Sequence, residues 1–274
     1  MTVKFLRGAR PMGACIFDAM SVGKEPESRP IKISNWQPSD KEIREGTWTL
    51  SDLVYHDEIG KHSGDLDRTF VRATYQPKCS DRSIIWTLVW GYPKGRIQMN
   101  RPNMKSAVRS ASPISRAINS MLDCETPFSA NEVLTRIHEV SSGVRTSTSS
   151  KIAYFAGIKT REGVCLILDE KVIASILYNR FDQLRPLIRK MLPAPPATYS
   201  CLGAQIVDAT KRQEAIYADY VRCLNRLAQQ RGIAPDMLEG FLFANAPSRP
   251  TMKEINDEWD AIRGKSRRKR ASHL

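Results

Sequence analysis

At 274 residues, with 41% apolar and 26% charged side chains, the chain can bury one large core or two small ones sharing an interface. Lysine and arginine number 42 against 29 acids, a formal charge of +13 that suits a polyanionic partner and leaves open a basic surface kept for solubility. No apolar run approaches a membrane span, and the opening Met1–Arg10 stretch lacks the apolar core of a secretory signal, so an intracellular, cytoplasmic protein with no membrane attachment is expected.

In chain order, residues 1–50 are broken by Gly and Pro around short apolar groups such as Cys15-Ile16-Phe17 and read as strands or an irregular wrap. From about residue 81 the pattern turns helical. Ile84, Ile85, Leu88 and Val89 recur at helical spacing beside Trp86 and Trp90, until Gly91-Tyr92-Pro93 stops the run. Ser112-Pro113 opens a second helix striped by Ile114, Ala117, Ile118, Met121 and Leu122. Ser129 caps a third, with Glu132 as its capping-box partner and Val133, Leu134, Ile137 and Val140 as the face. Further helices are predicted over 148–157, 169–180, 182–192, 209–231, 235–244 and 251–263, with 193–201 a Pro-rich loop and 265–270 a cationic tail that touches phosphate without reading sequence. The fold class is mainly α. Six cysteines (Cys15, Cys79, Cys124, Cys165, Cys201, Cys223) without a CxxC pair, and four histidines in no ligand pattern, point to reduced, mostly buried thiols with no metal or cofactor.

Chemistry concentrates between Ser129 and Arg180. A helix over 130–141, a turn at Ser142-Gly143-Val144 and a second helix form a unit able to present backbone N–H groups and a helix start to phosphate. Arg145 adds a cation, and the run Thr146, Ser147, Thr148 to Ser150 adds hydroxyls. Such turns are also common as plain connectors. Beyond it, the apolar stretch Val164–Leu168 ends in Asp169, and Val172, Ile173, Ile176 and Leu177 follow at helical spacing, so Asp169 reads as a helix N-cap. A carboxylate at a helix start beside a phosphate-binding turn also suits stabilisation of a cationic sugar. One residue can be both cap and catalyst.

Gly143-Val144 followed by Lys151, then Leu168-Asp169 with Val172 behind it, resembles the helix-hairpin-helix DNA glycosylases. The segments Lys-Ile-Ala-Tyr-Phe-Ala (151–156), Leu-Ile-Leu-Asp (166–169), Trp-Gly-Tyr-Pro (90–93) and Tyr217 to Phe243 are most similar to the bacterial 8-oxoguanine DNA glycosylase-like branch, over roughly 80–245. The chain departs from the family hairpin in lacking its proline and second glycine. The resemblance implies two helical subdomains flanking a DNA cleft, with 1–80 packed on the core, 81–264 the glycosylase domain (hairpin about 130–157, catalytic loop and helix 158–180) and 265–274 a tail.

By the same resemblance, Asp169 supplies the charge at C1′, and Lys151, eighteen residues earlier, is the nucleophile. A solvated Lys151 contacting phosphate is the other reading. Gly143, Val144, Arg145, Thr146, Ser147 and Thr148 hold DNA, while Lys94 and Arg96 touch phosphate. Of the aromatics Trp86, Trp90, Tyr92, Tyr154, Phe155, Phe241 and Phe243, the pocket for an extruded base falls to Trp90 with Phe241 or Phe243. A monomer acting on double-stranded DNA is implied, excising an oxidised purine in repair or a hypermodified base, such as glucosylated hydroxymethylcytosine, in defence against phage. The alternatives are a non-catalytic DNA-binding protein, or a basic helical protein whose partner is RNA or protein.

Overall fold

The computed structural model describes residues 15–17, 20, 66–92, 102–141, 143–179, 181, 183, 184, 187, 190 and 210–246. The expectations for residues 1–50 apart from 15–17 and 20, and those for Lys94, Arg96, the 193–201 loop, the 251–263 helix and the 265–270 tail, lie outside them. The described residues are mainly helical, as the periodicity demands: α1 Arg68–Ala73, α2 Asp81–Gly91, α3 Pro102–Arg109, α4 Ala111–Leu122, α5 Ala130–Glu139, α6 Thr146–Phe155, α7 Glu170–Asn179, α8 Thr210–Arg231 and α9 Pro235–Ala244. Between α6 and α7 lie two short strands, β1 Lys159–Thr160 and β2 Gly163–Val164, paired antiparallel.

The chain divides into two compact units, residues 27–168 and residues 1–26 with 169–274. In the first, α2 is the central element. Ser83 through Val89 are all buried, so this helix is covered on every side and packs against α1, α3, α4 and α6. Ser80 and Ser83 close a capping box at its start. The Tyr75 hydroxyl shares a 2.7 Å hydrogen bond with Thr87. Burial pushes the Tyr75 phenol well above its ordinary range, and burial, then the Asp81 charge, pushes the Cys79 thiol up to about 12. Cys79 therefore stays a protonated thiol, as a structural cysteine should.

The α4 stripe holds for Ile114, Ile118 and Met121, but Leu122 is 44% exposed, and on α5 Val140 falls at the C-cap and reaches the surface. Both stand where a helix ends and the core no longer covers it. Two helices escaped the periodicity: α1 has only six residues, and α3 is short and polar. The predicted loop after Gly157 is a hairpin whose two-residue tip, Arg161-Glu162, docks on the start of α5. Arg161 N–H donates to the Phe128 carbonyl, and Glu162 accepts from the Ala130 N–H.

In the second unit α7 and α8 each pack on α9 around Leu238, Phe241 and Leu242, with Tyr217, Tyr220 and Phe181 fully buried. Among the described residues, no helix is long and apolar enough to cross a membrane.

The Ser129–Glu132 capping box forms as predicted: Glu132 N–H donates to Ser129 Oγ at 3.2 Å, and Ser129 N–H to the Glu132 carboxylate at 2.6 Å. That backbone bond first, then the Ser129 hydroxyl and Arg161, lower the Glu132 pKa. The folded value lies below the unfolded one, so the contribution is present at neutral pH and lost as pH falls from about 4 through the depressed folded value. Because the pair is half exposed, the effect is modest. Glu132→Gln should flatten that part of the acid limb in urea denaturation run against pH, leaving the alkaline limb unchanged.

Candidate functional site

The connection from α5 to α6 passes through Gly143, which is exposed and has φ 87°, a left-handed conformation that side chains disfavour by about 1–2 kcal/mol. Val144 behind it is buried and Arg145 exposed. Arg145 occupies the N-cap of α6 in extended conformation, and its own side chain makes no capping hydrogen bond. The helix begins at Thr146, two residues earlier than expected, which puts the hydroxyl run inside it.

That register changes what the hydroxyls do. Thr146, Thr148, Ser149 and Ser150 are buried, and Ser147 is half-buried. Thr148 shares a 2.6 Å bond with the Tyr92 hydroxyl, and Ser149 donates back to the Arg145 carbonyl. Thr146 and Thr148 are therefore structural rather than surface donors to a DNA strand, and of the expected DNA-binding set Gly143, Arg145 and Ser147 keep access to solvent.

Lys151 is buried to 6% exposure on α6. Its amine turns back along the helix and donates to Ser147 Oγ at 2.8 Å, with the Ser147 carbonyl at 3.5 Å. A solvated lysine at a helix start is thereby excluded. Its neighbour Ser150 is fully buried and bonds across the chain. Ser150 Oγ accepts from Leu168 N–H at 3.1 Å and lies 3.4 Å from the Leu168 carbonyl. A Schellman close at Gly157 (φ 68°), with Ile158 N–H on the Ala153 carbonyl and Gly157 N–H on that of Tyr154, ends α6 and turns the chain into the hairpin. The strand pair then returns it to Ser150.

Leu168 closes the first unit and Asp169 opens the second. There Asp169 caps α7: its Oδ1 accepts from Lys171 N–H and Val172 N–H, each at 3.0 Å. Asp169 is 8% exposed, and Val172, Ile173 and Ile176 behind it are buried, as the spacing predicts. At the same end of α7 the Lys171 amine lies 4.4 Å from the Phe243 ring centroid. Phe243 is half-buried, whereas Phe241 is buried against Phe181 and belongs to the core. Phe241 is thus set aside as a pocket residue. Trp86, Tyr154 and Phe155 are buried as well, and Trp90 is half-buried, edge-on to Phe155 at 5.0 Å.

Sequence reasoning missed Arg68 and Arg72. Helix α1 lays Arg68 over Trp90 and Tyr154, each 5.4 Å to the centroid, and Arg72 over Tyr154 at 4.8 Å. It also missed Ser150, whose spacing to Leu168 equals that of Lys151 to Asp169, so the signal lay in a separation already noticed.

The described residues are thus mainly helical, with a buried lysine and a helix-capping aspartate eighteen residues later. The family model described as "Putative 8-oxoguanine DNA glycosylase OGG-like protein" matches residues 27–243, and the chain belongs to that family. Neither the curated proteins nor the solved structures gave a match. Membership makes the chain a DNA glycosylase and DNA its partner. The match starts well before residue 80, in keeping with α1 lying in the same unit as α2 and α6.

Replacing Ser150 by Ala strands the Leu168 N–H in a buried place. The expected cost is about 1–3 kcal/mol of unfolding free energy, measured by chemical denaturation, with faster amide exchange at Leu168. An unchanged midpoint and exchange rate would show that the bond matters little.

Proposed function

We propose that this glycosylase extrudes a modified nucleotide from double-stranded DNA and cuts its N-glycosidic bond, Asp169 offsetting the positive charge that develops at C1′ and leaving an abasic site. The observation that carries the reading is the fixation of Asp169: two backbone N–H groups of α7 hold one carboxylate oxygen, so the side chain keeps one orientation without reorganising during reaction. The α5–α6 turn, with exposed Gly143 and Arg145 leading into the start of α6, suits a helix-hairpin-helix grip on phosphate. The buried, amine-bearing Lys151 is the nucleophile for a lyase step: a neutral amine adds to C1′ and forms an imine that permits strand cleavage. Phe243 under Lys171, and Trp90 under Arg68, are the half-buried aromatic faces suited to a flipped base. The family's description favours an oxidised purine.

Asparagine caps a helix as well as aspartate does, so Asp169→Asn should leave stability within about 0.5 kcal/mol of the parent. Base release should fall on the order of 10²–10³-fold, the scale seen when a fixed electrostatic stabiliser is removed, with duplex affinity retained. The assay incubates the protein with duplexes carrying 8-oxoguanine and with phage DNA carrying glucosylated hydroxymethylcytosine, and scores released base by mass spectrometry. Release from the phage DNA alone would assign the protein to antiviral defence instead of repair. Equal release by parent and variant would remove Asp169 from the mechanism, and no release from any duplex would leave a DNA-binding protein. Arg145→Ala should weaken duplex binding equally across sequences and lower the slope of log affinity against log salt by about 1, read by fluorescence anisotropy.

A further inference from the structure

The end of α2 runs along one stripe of α6. Thr148, Lys151 and Phe155 lie on that stripe, three and four residues apart. Three consecutive residues meet it: Tyr92 through its hydroxyl on Thr148, Trp90 edge-on to Phe155, and Gly91 between them opposite Lys151. A Cβ at Gly91 would stand 3.1 Å from Lys151 Cδ and 3.6 Å from Cε, so the missing side chain is what gives the lysine stem its path. The stem is thus confined on the α2 side, and its amine ends on Ser147 Oγ one turn back.

We infer that Gly91 and Ser147 are positioning residues for the Lys151 amine: Gly91 sets the course of the methylene stem and the Ser147 hydroxyl fixes where it ends. This deepens the reading of Lys151 as nucleophile and rests on it for its catalytic meaning. Neither residue touches the reacting atoms. In the step concerned, the amine adds to the C1′ aldehyde of a ring-opened abasic deoxyribose and water leaves, giving an imine. Borohydride then delivers hydride to the imine carbon, leaving a stable secondary amine.

Two measurements on the full chain separate the inference from the reading beneath it. In the first, protein and a duplex oligonucleotide with one abasic site are treated with borohydride, and the adduct is mapped to Lys151 by mass spectrometry. In the second, no DNA is present, and the methylation of Lys151 by formaldehyde and cyanoborohydride is timed. Gly91→Ala and Ser147→Ala, each assayed at saturating duplex, should slow adduct formation by about tenfold or more, the scale expected of a displaced reacting group, with the duplex affinity of Gly91→Ala unchanged. Ser147→Ala should at the same time speed methylation several-fold, because the amine loses its 2.8 Å hydrogen bond, and Ser147→Thr should restore both rates. A general loss of structure would also expose other buried side chains, so the far-ultraviolet circular dichroism midpoint is followed in each variant. Gly91→Ala, a change that helices ordinarily favour, keeps the test independent of Ser147. Equal methylation and equal trapping in the parent and both alanine variants overturn the inference. If the parent gives no adduct at Lys151 while methylation still responds to Ser147→Ala, the nucleophile reading fails and the restraint on the amine stands.

Discussion

The hydroxyl of Ser150, buried beside the backbone of Leu168, is the interaction on which the rest depends. It holds Leu168, where the chain leaves the first unit one residue before the aspartate, to a serine one residue before the lysine. A backbone N–H buried at that point needs a partner, and a serine on the facing helix supplies one. Every intervening feature serves that return. The glycine close at Gly157 ends α6, the hairpin reverses the chain, and the hairpin tip is anchored by Phe128, Ala130 and Glu132 at the start of α5.

The same economy governs α6. A helix of ten residues with five serines and threonines as its first half would be weak in water, since these side chains compete for backbone bonds. Buried, they become its attachments: Thr148 to Tyr92, Ser150 to Leu168, Ser147 to Lys151. Polar groups that looked available to a nucleic acid hold the protein together. Arg145, by contrast, is exposed at the helix start, where its charge suits the proposed contact with phosphate.

The cap that Asp169 forms and the catalytic role proposed for it do not conflict, because a helix N-cap and a fixed transition-state charge make the same demand, a carboxylate with its rotamer locked by backbone donors. Lys171 stands in the same first turn and points at Phe243, so one helix start arranges both a carboxylate and an aromatic face.

Much was determined by sequence alone, wherever a signal is local. The mainly helical class, the α5 capping box, the Asp169 cap, the buried faces of α2 and α7 and the family resemblance around Lys151 and Asp169 all follow from spacing and from residue types that act within one helical turn. Tertiary structure decided what depends on partners distant in the chain. It buried the hydroxyls of Thr146, Thr148, Ser149 and Ser150, took Phe241 into the core, exposed Leu122 at its helix end, and folded a presumed loop into a hairpin. It also brought Arg68 and Arg72 onto Tyr154, and Gly91 onto Lys151. The physical reason is that a helical period tells which face of an element is apolar, whereas burial of a hydroxyl, an aromatic or an amine depends on which neighbour covers it, and that neighbour is chosen by the packing of the whole unit.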